Sequence, residues 1–146
     1  MSIRRYTILN AYWAPIQFQE SALLTIAVPA ALLQIVPASY RSTFALVMSA
    51  VAFIGMAVPP IAGALSDRWR RQGGSRRAFV LVGAALDAAC LLGMARVHSG
   101  PALIALLLLA IVGVNISFAA YQAMIPEIVP RAAWGAASGI RGALQL

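Results

Sequence analysis

From Pro101 to Pro126 the chain reads PALIALLLLAIVGVNISFAAYQAMIP, without one charged side chain. A helix rises about 1.5 Å per residue, so about 20 apolar residues cross the roughly 30 Å hydrocarbon core of a bilayer. The stretch is long enough to span, and Gly100-Pro101 at its head is a breaker followed by a helix-start signal.

The same pattern continues outward. Ala78 to Ala95 carries Asp87 as its single charge, and Ser42 to Ser66 carries none. Ser21 to Tyr40 is also uncharged, and that run begins near Tyr6 if Glu20 lies inside the membrane. The expected spans are 8–37, 43–65, 78–96 and 101–125. A fifth apolar stretch starts near Ala132 and reaches Leu146 before it can cross. The short connections Ser39 to Ser42 and His98 to Pro101 make consecutive helices antiparallel neighbours. The expected fold class is all-α: a polytopic membrane bundle of four transmembrane helices and the start of a fifth.

Composition agrees. Hydrophobic residues make up 62% of the 146 and charged residues 10%, with a mean hydropathy of +0.84. Soluble domains run at roughly 45–50% and about 25%. A net charge of +7 would suggest nucleic acid in a soluble protein. Here the charges cluster between apolar runs, so the implied partner is the membrane surface and its lipids, not nucleic acid. With one cysteine, Cys90, and one histidine, His98, neither an internal disulfide nor a Cys/His metal site is expected. Arg4-Arg5 precedes a region too long and too interrupted by Asn10, Gln17 and Glu20 for a cleaved signal.

The arginines set the orientation. The N-terminus, the second loop and the fourth loop hold Arg4, Arg5, Arg68, Arg70, Arg71, Arg76, Arg77 and Arg131, against Arg41 and Arg96 on the other side. By the positive-inside rule the N-terminus is expected in the cytoplasm.

The second loop reads Gly63-Ala64-Leu65-Ser66-Asp67-Arg68-Trp69-Arg70-Arg71-Gln72-Gly73-Gly74-Ser75-Arg76-Arg77. Asp67, placed just past the C-terminus of the second helix, meets the negative end of the helix dipole and needs a positive partner, Arg68 or another loop arginine. Gly63 leaves room for close approach of another helix. The plain alternative for this loop is a solvated basic segment against anionic lipid heads.

This loop resembles the signature between the second and third helices of the major facilitator superfamily, with Ser75 inserted between Gly74 and the pair Arg76-Arg77. The stretch Tyr121-Gln122-Ala123-Met124-Ile125-Pro126-Glu127-Ile128-Val129-Pro130, followed by Gly135-Ala136-Ala137-Ser138-Gly139, resembles that superfamily at its helix four–five join. The nearest likeness is to sugar-type cation symporters. The resemblance implies an N-terminal portion of a bundle of about twelve helices. It also implies alternating access around a midplane site and a loop aspartate that helps hold the inner gate closed.

Several polar groups lie within the spans. Asn10, Gln17 and Ser21 share one face of the first helix, with Glu20 and Thr25 beside them. On the fourth helix Asn115 and Gln122 are accompanied by Ser117 and Tyr121. Such stripes avoid lipid, because unsatisfied polar groups in hydrocarbon are costly. They line a cavity or hydrogen-bond between helices, and the superfamily resemblance favours a cavity for helices one and four. Glu20 has a third option, snorkelling at the interface. Asp87, near mid-membrane, costs about 2.5–3.5 kcal/mol as a charge and must be protonated or paired, as a coupling or a structural group. Pro29, Pro59 and Pro60 are expected to kink the first two helices. Gly135 and Gly139 form a small-residue packing face on helix five, and Arg141 there would need an acid such as Glu20 or Asp87.

The sequence holds no catalytic triad, phosphate loop or metal spacing, so no enzyme and no cofactor are expected. The expected function is secondary transport of a small solute, coupled to a proton or another cation, in a multi-pass protein of a bacterial inner membrane. Its further partners would be the C-terminal helices of the same transporter. The alternatives are a self-sufficient dimeric four-helix small multidrug exporter, in which Glu20 is the working acid, and a non-transporting membrane scaffold or regulator.

Overall fold

The computed structural model describes residues 13–128 together with Gly135, Ser138, Gly139 and Gly142. Four helices are long and apolar enough to cross a membrane: α1 Trp13–Ile35, α2 Tyr40–Arg71, α3 Arg77–Met94 and α4 Gly100–Ile128. The described residues contain no strand. The fold is an all-helical membrane bundle. The chain divides into two compact units, one of the residues up to Pro29 with those from Met124 on, the other Ala30–Ala123.

In the first unit α1, described from Trp13 on, passes through a π-helical turn, Leu23–Ala27, where the Val28 N–H bonds the Leu23 carbonyl five residues back. The cause is Pro29. Without an N–H it cannot serve the Thr25 carbonyl, and its ring crowds that group, so the preceding turn widens. Such adjustments re-satisfy the freed backbone groups without breaking a membrane helix.

In the second unit α1 ends where Val36 leaves helical geometry, at φ −135° and ψ 55°, as a residue before Pro37 is driven to do. A single 3-10 turn, Pro37–Ser39, leads into α2. There Tyr40 stacks on Phe44, one turn on, with ring centroids 5.8 Å apart.

One expectation for α2 changes. It runs to Arg71 instead of stopping at 65, because Arg68, Arg70 and Arg71 are good helix formers whose charge suits the negative end of the dipole. It also continues through Pro59 and Pro60; the two ladder bonds they forfeit do not end it. The stop comes at Gly73, the one glycine with positive φ among the described residues, at 86°. Its N–H bonds the Arg70 carbonyl and the Gly74 N–H bonds the Trp69 carbonyl, both at 3.0 Å, which is a Schellman ending.

The core of the second unit lies along α4. Leu103, Leu107, Ala110, Ile111, Val114, Ser117, Ala120 and Tyr121 are buried and recur at three- and four-residue steps, so one helical face is covered throughout. Helices α3 and α4 pair antiparallel: Val80 meets Ser117, Gly83 meets Gly113 and Gly93 meets Leu106. At the opposite end of this pair Gly100 lies under Ile35, whose Cγ2 would be 3.1 Å from an added Cβ.

Candidate functional site

The residues of the second loop converge. Asp67 sits within the last turns of α2, not past its end, because α2 is longer than expected. Its carboxylate Oδ1 accepts a hydrogen bond from Nη1 of Arg76 at 2.5 Å, and the same Nη1 donates to Ser66 Oγ at 3.0 Å. Of the loop arginines, the geometry selects Arg76, immediately before α3, to neutralise Asp67. Its side chain is 11% exposed and that of Asp67 47%, so the pair lies at a boundary, one partner covered and one wet. Ser66 is fully buried. The clamp ties the end of α2 to the start of α3.

The turn between them is equally constrained. A Cβ added to Gly74 would fall onto the Trp69 indole, at Nε1, so glycine lets the chain fold back over that ring without moving it. Ser75 Oγ then accepts from the Arg77 N–H at 3.3 Å as α3 begins. Gly73 supplies the left-handed turn and Gly74 the close approach. Two adjacent glycines thus have two different jobs. Arg68 and Arg77 are exposed and stand outside the clamp.

A second constellation lies deeper. A Cβ on Gly83 would come within 2.5 Å of the Gly113 carbonyl oxygen and the Ser117 nitrogen; one on Gly113 would come within 2.8 Å of the Gly83 oxygen and 2.9 Å of the Asp87 nitrogen. The two backbones touch. Ser117 Oγ donates to the Val80 carbonyl at 3.0 Å across the same seam. Asp87 is 9% exposed and is buried one turn from Gly83.

The remaining predicted residues fall in both units. Asn115 is half-buried and donates its amide to the Ile111 carbonyl at 2.8 Å, a bond within its own helix. Tyr121 is buried and Gln122 half-buried. In the first unit Gln17 and Glu20 are half-buried. Gly63 has nothing within 4 Å of an added Cβ, so no described residue makes the close approach expected there. Gly135 and Gly139 are helical, exposed and equally open. Pro126 and Glu127 are helical in backbone. Pro130, Arg141 and the expected fifth helix near 132 fall outside the described residues, apart from those isolated positions.

Compared with families of known proteins, the chain matches the Major Facilitator Superfamily over residues 16–145. The chain belongs to that superfamily. The match covers α1 from Ile16 on, all of α2, α3 and α4, and both constellations. As a member of the Major Facilitator Superfamily, the protein is an integral, multi-pass membrane protein of a transporter family that handles small-molecule substrates. No curated protein and no solved structure matches the chain significantly.

Three elements of the site escaped sequence reasoning: Ser66 as co-acceptor of Arg76, the Trp69–Gly74 contact, and the Gly83–Gly113 seam. The signal for the seam was present, as single glycines within otherwise apolar spans, each a candidate for close backbone approach.

Proposed function

We propose that the protein carries a small solute across the membrane by alternating access, driven by a proton or cation gradient, with the loop between α2 and α3 on the cytoplasmic side. Sugars and sugar acids are the first substrates to test. The observation that carries this reading is the Asp67–Arg76–Ser66 clamp, formed by the residues of the loop signature. An ion pair with one buried and one wet partner holds two helix ends in one arrangement yet can exchange for water or another cation. That suits a latch that must close and open. Gln17, Glu20, Asn115, Tyr121 and Gln122 are proposed to face the solute path, with Asp87 a proton-holding or purely structural acid. The open face of α2 at Gly55 and Gly63 would receive further helices of the transporter.

Two experiments test this. Uptake of radiolabelled sugars and sugar acids is measured in proteoliposomes under imposed proton and sodium gradients, for this chain and, in a parallel arm, for any longer product of the same gene. Saturable, gradient-driven uptake that falls at least about tenfold in Asp67→Asn, at unchanged insertion, is expected; a tenfold change is about 1.4 kcal/mol of barrier. Equal rates in the variant would remove the latch. For orientation, an impermeant thiol reagent added outside should reach Ser99→Cys and not Ser75→Cys, since the native Cys90 is buried. The reverse pattern would overturn the topology.

A further inference from the structure

We infer that the end of α2 carries a binding site for the phosphate headgroup of an anionic phospholipid. A hollow of about 330 Å³ is lined by Leu65, Arg68, Trp69, Gln72 and Phe79. The first four recur at helical steps of three and four and so share one face of α2; Phe79 comes from the first turn of α3. The lining combines apolar and aromatic side chains with a guanidinium and an amide.

The depth of this hollow matches a headgroup. With 32 residues α2 is about 48 Å long, well beyond the roughly 30 Å of hydrocarbon. Counted from Ser42, just after the exposed Arg41, Leu65 is the 24th residue, about 36 Å along the helix and a few ångströms beyond the roughly 30 Å of hydrocarbon. Leu65 is then at the acyl boundary, and Arg68, Trp69 and Gln72 follow at headgroup level. Leu65 is 52% and Trp69 49% exposed, so both present apolar surface where lipid lies. Tryptophan is the residue that favours this layer.

Charge decides the class of lipid. From Ser66 to Arg77 there are five arginines and one acid, Asp67, which is taken by Arg76. Arg68 is exposed, has no ion pair among the described residues, and stands at the hollow with the remaining positive charges of the loop nearby. A phosphodiester on Arg68, with its first acyl segments along Leu65, Trp69 and Phe79, satisfies the charged and the apolar lining at once. The site is also built in advance: Gly74 fits under the Trp69 ring, and the Schellman turn holds the backbone there. No step of transport is involved in this assignment.

The test uses the full chain with Trp13→Phe and Trp134→Phe, leaving Trp69 as sole fluorophore, in nanodiscs of phosphatidylcholine with a minor fraction of phosphatidylglycerol. Bromine is placed on the acyl chains of one lipid or the other. Quenching by brominated phosphatidylglycerol should exceed its mole-fraction share about fivefold, the factor that one surface arginine gives. Arg68→Gln should return it to that share; Arg68→Lys and Arg41→Gln should retain the excess. Quenching in proportion to mole fraction for both lipids, which needs no variant at Arg68, overturns the proposal, as does an excess that survives Arg68→Gln. A third arm adds inorganic phosphate: if it abolishes the excess where equal ionic strength of chloride does not, the site is one for free phosphate and the lipid assignment fails.

Discussion

Helices α2 and α4 are both apolar and longer than a bilayer needs, yet they live in different surroundings. Of the most apolar window of α4, 39% is buried; of that of α2, 6%. Leu46, Phe53, Met56 and Ile61 of α2 are exposed, whereas Leu103, Leu107 and Ile111 of α4 are covered. Their glycines tell the same story at atomic scale. Gly113 of α4 lies against the Gly83 backbone, while Gly55 and Gly63 of α2 have nothing within 4 Å. Hydrophobicity alone therefore does not say what a membrane helix touches, since lipid tails are as apolar as a leucine face. What distinguishes the helices is close backbone approach and a cross-helix hydrogen bond.

The contrast can be attacked first at the seam. Gly83→Leu places a large side chain where a backbone oxygen already sits 2.5 Å from the first added carbon. The expected loss of stability is at or above the upper end of about 1–3 kcal/mol, since backbone has no rotamer by which to yield. Thermal unfolding in detergent, followed by monodispersity on size exclusion, reads it. A variant as stable as the parent would mean that α3 and α4 do not meet at this point.

Next comes the clamp. Arg76→Gln removes the ion pair and weakens the bond to Ser66, but leaves Asp67 about half exposed and able to hydrate. A loss of about 1–2 kcal/mol is expected, reduced by high salt in the parent and not in the variant. The same melting assay at two ionic strengths decides it.

Smaller still is Ser117→Ala, which deletes the hydroxyl donor to Val80 across the seam. Interhelical hydrogen bonds in membranes average about 0.6 kcal/mol, and that is the loss expected. A double variant with Gly83→Ala should be non-additive, because both positions act on one contact.

The least effect on stability belongs to Gly63→Ala. Its added methyl meets nothing, so stability should be unchanged or rise by up to about 1 kcal/mol, as alanine is the better helix former. If further helices close on α2 during transport, uptake should fall all the same. A stable variant with full transport would mean that this face is simply lipid-facing.

The number of spans, the polar stretch at the second loop and the need of Asp67 for a cation were legible in residue order. They follow from hydropathy and from charge placed against a helix end, which are local properties. The family signature was legible for the same reason, as a short run of residues with fixed spacing. The length of α2 was not, because the basic turns after Leu65 are equally good as loop or helix until Gly73 ends them.

Which arginine holds Asp67 depended on how the chain turns. Arg68 is adjacent in sequence but lies on the helix surface, whereas Arg76 is brought back by the Gly73–Gly74 reversal. The partners of Gly83, Gly113 and Ser117 lie on another helix, and a period of 3.6 residues records which face a residue is on, not what that face meets. Residue order therefore determined the solvent of each segment, lipid or water. The tertiary structure alone decided which helices touch, because in a medium as apolar as the side chains themselves that choice rests on shape and on a few hydrogen bonds.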